Sequence, residues 1–269
     1  MWGLVPAAPR GGRIQPLAFS KEPPPVGSRG DDGNARPYAI SEYLVERLIL
    51  GGPDKICFVI LPGKSDFLKY FGDHYDSAQL AYVVQPEPLG LCDALFRAST
   101  VVGRDDDVIV GLPDTVWLAA AALRALPGAD LSFLLFPVGH PEFFDAVVLD
   151  GDRVTEIQVK KPNATSTWIW GAFRMSARGF RELQAFWTKR DRCDEYFGTL
   201  VNAYLAAGGR GTGLKAGESY VDVGTIDGYR TAMALLADTG AEDARSRLCA
   251  GASAEAIPAA SMTNDGVIA

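Results

Sequence analysis

The chain has 269 residues, 48% of them apolar, and a formal net charge of -7. That length fits one large domain or two small ones with a sizeable core. The acidic balance disfavours bulk binding to nucleic acid or an anionic membrane, and no apolar run approaches the ~20 residues of a membrane helix.

"WGLVP" at the start reads as a short buried strand. It runs into a glycine- and proline-rich stretch that reaches Pro37 and carries Arg13 and Lys21 among its cations. Positive charge concentrated on such a loop, against an acidic background, suits a local anionic ligand. A Gly-rich turn after a strand presents backbone N–H groups to phosphate oxygens, although a solvated surface turn has the same composition.

"YAISEYLVERLIL" follows, with Ile40, Tyr43, Leu44 and Leu48 at helical spacing and Gly51-Gly52 as its stop. "KICFVIL" reads as a strand, "SDFLKYF" as a short helix and "LAYVV" as another strand. The loop "QPEPLG" leads to a helix with Leu91, Ala94, Leu95 and Ala98 on one face. "DVIVGL" is an apolar strand that ends at Pro113-Asp114, and "LSFLLFP" is a further buried strand. "DAVVLDGDRVTEIQV" reads as a hairpin around Asp150-Gly151. "WIWGAFRM" is a strand; helices are expected near 177–188 and 195–207, then "YVDVG" and a last helix from about Ile226 to Leu236. This rhythm predicts an α/β domain over 1–237 with a mixed, mostly parallel central sheet and helices on both faces. Residues 238–269, rich in Ala, Gly, Ser and Asp, read as a mobile tail.

Cys57, Cys92, Cys193 and Cys249 form no C-x-x-C pair, and Cys57 and Cys92 sit in apolar segments as small buried hydrophobes. With no secretory leader pattern, the expectation is a reducing cytoplasm. His74 and His140 fall in loops without metal-ligand spacing and read as surface residues.

Several loop residues carry chemistry. Gln85, at the carboxyl end of a predicted strand, offers a donor and an acceptor to a base edge, and Gly90 permits close approach of a ring. Asp114 and Asp222 each follow a strand, where an aspartate caps a turn or binds a metal. Two such carboxylates beside phosphates suit Mg²⁺; spacing alone does not show that they meet. Lys160 and Lys161 lie at a strand end.

The ordered set "AAPRGGRIQPL", Lys21, "QPEPLGL", "LPDT", "VKKP" and "YVDVGTIDGYRTA" resembles the sugar-1-phosphate nucleotidyltransferases, such as uridylyl- and thymidylyltransferases acting on glucose 1-phosphate. The resemblance covers residues 2 to 237. It implies a Rossmann-like fold and transfer of a nucleotidyl group from UTP or dTTP to a sugar 1-phosphate. It implies that Ala8, Gly11 and Gly12 wrap the triphosphate, that Arg13 contacts the outgoing pyrophosphate and that Lys21 lies at the phosphates. Gln85 and Gly90 would read the base, Asp114 and Asp222 would hold Mg²⁺, and Lys161 would hold the sugar phosphate. Lys160 stands where the family usually has a Glu on sugar hydroxyls, and Gly171 would lie near the sugar. The implied partners are the nucleoside triphosphate and the sugar 1-phosphate, with no nucleic acid or membrane; a homo-oligomer is left open.

The chain departs from the family pattern at Pro9, Gly12 and Lys160. Those departures motivate an alternative, a non-catalytic nucleotide-sugar sensor or regulatory protein. A second alternative, a metal-dependent glycosyltransferase, rests on the D-x-D in "RDDDV" at 104–108, which precedes a strand rather than ending one.

Overall fold

The computed structural model describes residues 1–8, 25–31 and 34–236, with residues 25–31 and 34–37 described as backbone only. Pro9, Gly11, Gly12, Arg13, Lys21, Cys249 and the segment 238–269 lie outside the described residues.

Strand β1 (Trp2–Pro6) is the centre of a parallel block. It pairs on one side with β4 (Lys55–Ile60), which pairs in turn with β6 (Ala78–Val84), and on the other side with β7 (Val108–Gly111). The two-residue β5 (His74–Tyr75) closes the β6 edge antiparallel. Beyond β7 the sheet changes character. Strand β12 (Trp168–Met175) runs antiparallel to both β7 and β9 (Ser132–Pro137). The hairpin of β10 (Asp145–Asp150) and β11 (Arg153–Val159) and the short β13 (Thr212–Lys215) complete a mixed ten-stranded sheet.

Two hydrophobic layers cover this sheet, and strand periodicity assigns each side chain to one of them. Leu4, Cys57, Val59, Val108, Val110, Phe133 and Leu135 point to the first. There they meet α3 (Gly90–Arg97), α4 (Ala177–Lys189) and α5 (Phe197–Ala206) through Leu95, Phe96, Phe180, Trp187 and Phe197. The alternate residues Val5, Ile56, Phe58, Ile109, Leu134 and Phe136 point to the second. That layer is closed by α1 (Ile40–Gly51) and α2 (Ser65–Phe71) through Leu44, Leu48, Phe67 and Phe71. Cys57 and Cys92 are buried as expected, and burial pushes both thiols up to about 12. His74 and His140 are exposed, each beside a carboxylate. Among the described residues no helix is long and apolar enough to cross a membrane.

Two small ladders lie outside the sheet. One joins β2 (Pro25–Asp31) to β3 (Asn34–Ala39). The other joins β8 (Thr115–Trp117) to β14 (Tyr220–Asp222), and a third apolar cluster holds it. There Val116 and Val223 pack with Tyr38, Ile40 and Tyr43 and with Ala232 and Leu236 of α6 (residues 226–236).

Candidate active site

Because β1, β4, β6 and β7 are parallel, their carboxyl ends share one edge, where open α/β sheets bind ligands. Ala7 and the buried Ala8 follow β1 on that edge, Gln85 follows β6, and Leu112 to Asp114 follow β7. The antiparallel partners bring their own ends to the same place. Ala172 of β12 lies opposite Gly111, and Asp145 of β10 lies opposite Val159 of β11. The resulting pocket of about 220 Å³ has Asp114, Asp222, Asp145 and Lys160 among its polar walls. Trp170, Tyr196, Tyr220, Phe143 and Phe144 supply its aromatic walls.

Asp114 and Asp222, far apart in the chain, face this one pocket. The β8–β14 register sets Asp222 opposite Thr115, and the Val223 N–H donates to the Asp114 carbonyl at 2.9 Å. One Asp222 carboxylate oxygen also accepts the Gly224 N–H at 2.7 Å, which fixes its rotamer. Burial pushes the Tyr220 phenol up, and the charges of Asp114 and Asp222 push it the same way. Among the described residues no cluster of three or more His, Cys, Asp or Glu side chains could cage a metal. Two carboxylates alone fit Mg²⁺, which keeps waters and takes its remaining ligands from substrate phosphates.

The two lysines of "VKKP" part company. Lys160 adopts φ 44°, a left-handed conformation uncommon outside glycine, and lines the pocket. Its ammonium sits 4.7 Å from the centroid of the Tyr196 ring, a cation–π distance. Lys161 does not line the pocket; it is half-exposed, with its ammonium 3.5 Å from Glu156. Gly171 sits at a β-bulge of β12, where an added Cβ would lie 2.5 Å from the Tyr220 ring and 2.6 Å from that of Phe136. Glycine there lets the Tyr220 wall close on the sheet.

On the other flank, Gln85 is almost fully buried. Its amide nitrogen donates to Asp93 at 2.7 Å and to the Gly90 carbonyl at 3.3 Å, so both donors lock the loop onto α3. Arg97 Nε holds the same Asp93 oxygen at 2.6 Å. Gly90 adopts φ +91°, and a Cβ there would meet the Glu195 carbonyl oxygen at 2.9 Å. The close approach that its sequence context suggests is therefore made, in this structure, to the 195–196 backbone. Neither Gln85 nor Gly90 lines the aromatic pocket.

The family model for nucleotidyl transferases matches residues 3–239. The chain belongs to the nucleotidyl transferase family. The chain is 26% identical over 180 residues to a UTP–glucose-1-phosphate uridylyltransferase of Haloferax volcanii, a match spanning 64% of this chain and 70% of that one. Solved structures share its fold. A Bacillus anthracis protein described as a glucose-1-phosphate thymidylyltransferase, in complex with a sucrose, superposes with a TM-score of 0.72 at 21% identity, over 87% of this chain and 94% of that one. A UTP-bound UGPase of Acinetobacter baumannii gives 0.67 at 20% identity, over 86% and 91% of the two chains. The fold is that of the nucleotide-diphospho-sugar transferases, as the ordered motifs imply.

Some groups at this edge of the sheet carry no motif of their own. Asp145 is the first residue of an ordinary hairpin strand, and only its position in the pocket distinguishes it. Lys64, mostly buried, donates from Nζ to the Ala7 carbonyl at 2.6 Å, where β1 gives way to the Gly-rich loop. The acidic run at 104–108 lies at the opposite edge of the sheet. Asp106 accepts from the Trp2 indole at 3.1 Å, and Asp107 accepts from Arg174 at 2.8 Å and from the Ala177 N–H at 2.9 Å. That D-x-D fastens the amino ends of β1, β7 and α4 and lies away from the pocket.

Proposed function

We propose that the protein transfers a nucleotidyl group from a pyrimidine nucleoside triphosphate, UTP or dTTP, to a sugar 1-phosphate, giving a nucleoside diphosphate sugar and pyrophosphate. The observation that carries this reading is the convergence of Asp114 and Asp222 on one pocket that also holds Lys160 and an aromatic wall. A phosphate oxygen of the sugar 1-phosphate attacks the α-phosphorus of the triphosphate. The bond from that phosphorus to the bridging oxygen of the β-phosphate breaks, and its electron pair leaves with pyrophosphate. No protein nucleophile is required, and among the described residues the pocket walls contain no Ser, Cys or His. Catalysis of this kind rests on positioning and on neutralising charge as it develops.

Asp114 and Asp222 would hold Mg²⁺, which when bound neutralises charge on the phosphate oxygens. Arg13 and Lys21 would contact the triphosphate, and Ala8, Gly11 and Gly12 would shape the loop around it. Gln85 and Gly90 would set the base-side loop through the contacts described above. Lys160 stands at the pocket, and Lys161 reaches it only by leaving Glu156. An exposed ion pair such as Lys161–Glu156 is worth roughly 0–1 kcal/mol, so that move costs little. The activity would be carried out in the cytoplasm, without nucleic-acid or membrane partners.

The test is pyrophosphate release across a panel of four nucleoside triphosphates and several sugar 1-phosphates. Release that requires both substrates, with UTP or dTTP preferred, is expected. Binding of nucleotide sugar without release for any pair would leave a sensor instead.

A further inference from the structure

Asp145 opens β10 beside Phe143 and Phe144, and its carboxylate lines the pocket with Lys160 across the β10–β11 pair. The Trp170 indole N–H and the Lys160 backbone N–H lie close enough to favour its charged form. The Lys160 N–H donates to the Phe144 carbonyl at 3.0 Å. The Trp170 indole N–H is buried and has no partner among the described residues. Burial outweighs these neighbours and the Lys160 charge, and holds the Asp145 carboxyl above its ordinary range. Gly198, in the first turn of α5, leaves room beside it: a Cβ there would come within 3.1 Å of Asp145 Oδ2. A buried carboxylate with about four lone-pair sites, on an aromatic wall next to an N–H that no described residue accepts, is an expensive arrangement that a ligand would relieve.

We propose that Asp145 selects the sugar, accepting hydrogen bonds from the hydroxyls of a neutral hexose ring that packs on the aromatic wall. This assignment rests on the transferase reading for the orientation of the sugar. The chemistry fixes the class. An ionised carboxylate accepts only, so it rewards free hydroxyls and opposes a second carboxylate. Lys160 and the Trp170 N–H supply the donors that ring and hydroxyl oxygens need. A few placed polar groups on an aromatic lining are what orient a small ligand.

Calorimetry with UDP, UDP-glucose and UDP-glucuronate, and in parallel dTDP and dTDP-glucose, tests it on the full chain. The wild type should bind one nucleoside diphosphate glucose about 10-fold or more tighter than the matching diphosphate, since a hydrogen bond to a charged group is worth roughly 1.5–3 kcal/mol. It should also prefer UDP-glucose to UDP-glucuronate. Asp145→Ala should erase most of the first preference while leaving diphosphate affinity unchanged, and the near-isosteric Asp145→Asn should narrow the second. Should the alanine variant not fold, the asparagine variant answers alone. Unchanged preferences in the variants, or an equal loss for diphosphate and diphosphate sugar, overturn the assignment in favour of a packing role. A wild type that prefers the sugar nucleotide but releases no pyrophosphate removes the transferase reading and leaves Asp145 in place. A wild type that binds neither ligand, or binds both equally, removes the assignment.

Discussion

Asp114 and Asp222 face one pocket because the Val223 N–H donates to the Asp114 carbonyl, at 2.9 Å. Apolar packing of Val116 and Val223 against α1 and α6 flanks that bond. An asparagine at either position keeps a side-chain acceptor, so Asp222→Asn retains a partner for the Gly224 N–H.

Asp114→Asn and Asp222→Asn should each lower turnover by about 10²–10³, the loss typical of one electrostatic group aimed at developing charge. Because both serve one ion, the double variant should fall little further than either single one. Thermal melting should stay near wild type. Losses that multiply would show that the two carboxylates act at separate places.

The lysines make a second comparison. Lys160→Met removes a cation already at the pocket, and Lys161→Met removes one now facing Glu156. Both should raise the sugar-phosphate KM and leave the triphosphate KM nearly unchanged. The larger rise should come from Lys160→Met; a larger rise from Lys161→Met would mean that Lys161 leaves Glu156 when substrate binds.

Gln85→Ala combines a stability effect with a binding effect. It strips donors from Asp93 and from the Gly90 carbonyl, which should destabilise the fold by about 1–3 kcal/mol, lessened by the Arg97 contact that remains. Selectivity for UTP or dTTP over ATP should fall as the loop loosens. Denaturant unfolding and nucleotide titration check the two separately, and an unchanged midpoint would contradict the locking role.

Asp145→Asn should raise stability at neutral pH. The folded carboxyl is held above its ordinary value of 3.8, so the folded state keeps its proton over a range where the unfolded state has lost it. Wild-type stability therefore falls as pH rises from 3.8 through the folded pKa, a loss the amide does not suffer. Melting temperatures of the two proteins should converge below that window and separate above it. A variant less stable at pH 7 would contradict this, and would mark Asp145 as a structural partner.

Much of the fold was legible because apolar periodicity dictates it. "SDFLKYF" forms the helix it spells, and alternation in "KICFVI" and "SFLLFP" assigns their side chains to opposite layers. Five strands, among them "NARPYA" and the two-residue "HY", were not legible. "TVW" and "TGLK" are too brief for a period, and "PVGSRGD" is rich in residues that read as loop. Asp114 and Asp222 were legible as strand-end acids, whereas their convergence depends on β8 and β14, which a local pattern cannot pair. Asp145 was not legible, since a single aspartate at the start of a hairpin carries no spacing signal. Lys160 and Lys161 look alike in sequence; the positive φ at Lys160 is what separates them.

Pyrophosphate release from UTP or dTTP with glucose 1-phosphate and Mg²⁺, compared between wild type and Asp222→Asn, tests the central claim most directly. The account predicts release by the wild type that stops when either substrate is left out, and a rate lower by about 10²–10³ in the variant. Equal rates in the two proteins, or no release by the wild type with any nucleoside triphosphate and sugar 1-phosphate, would contradict it.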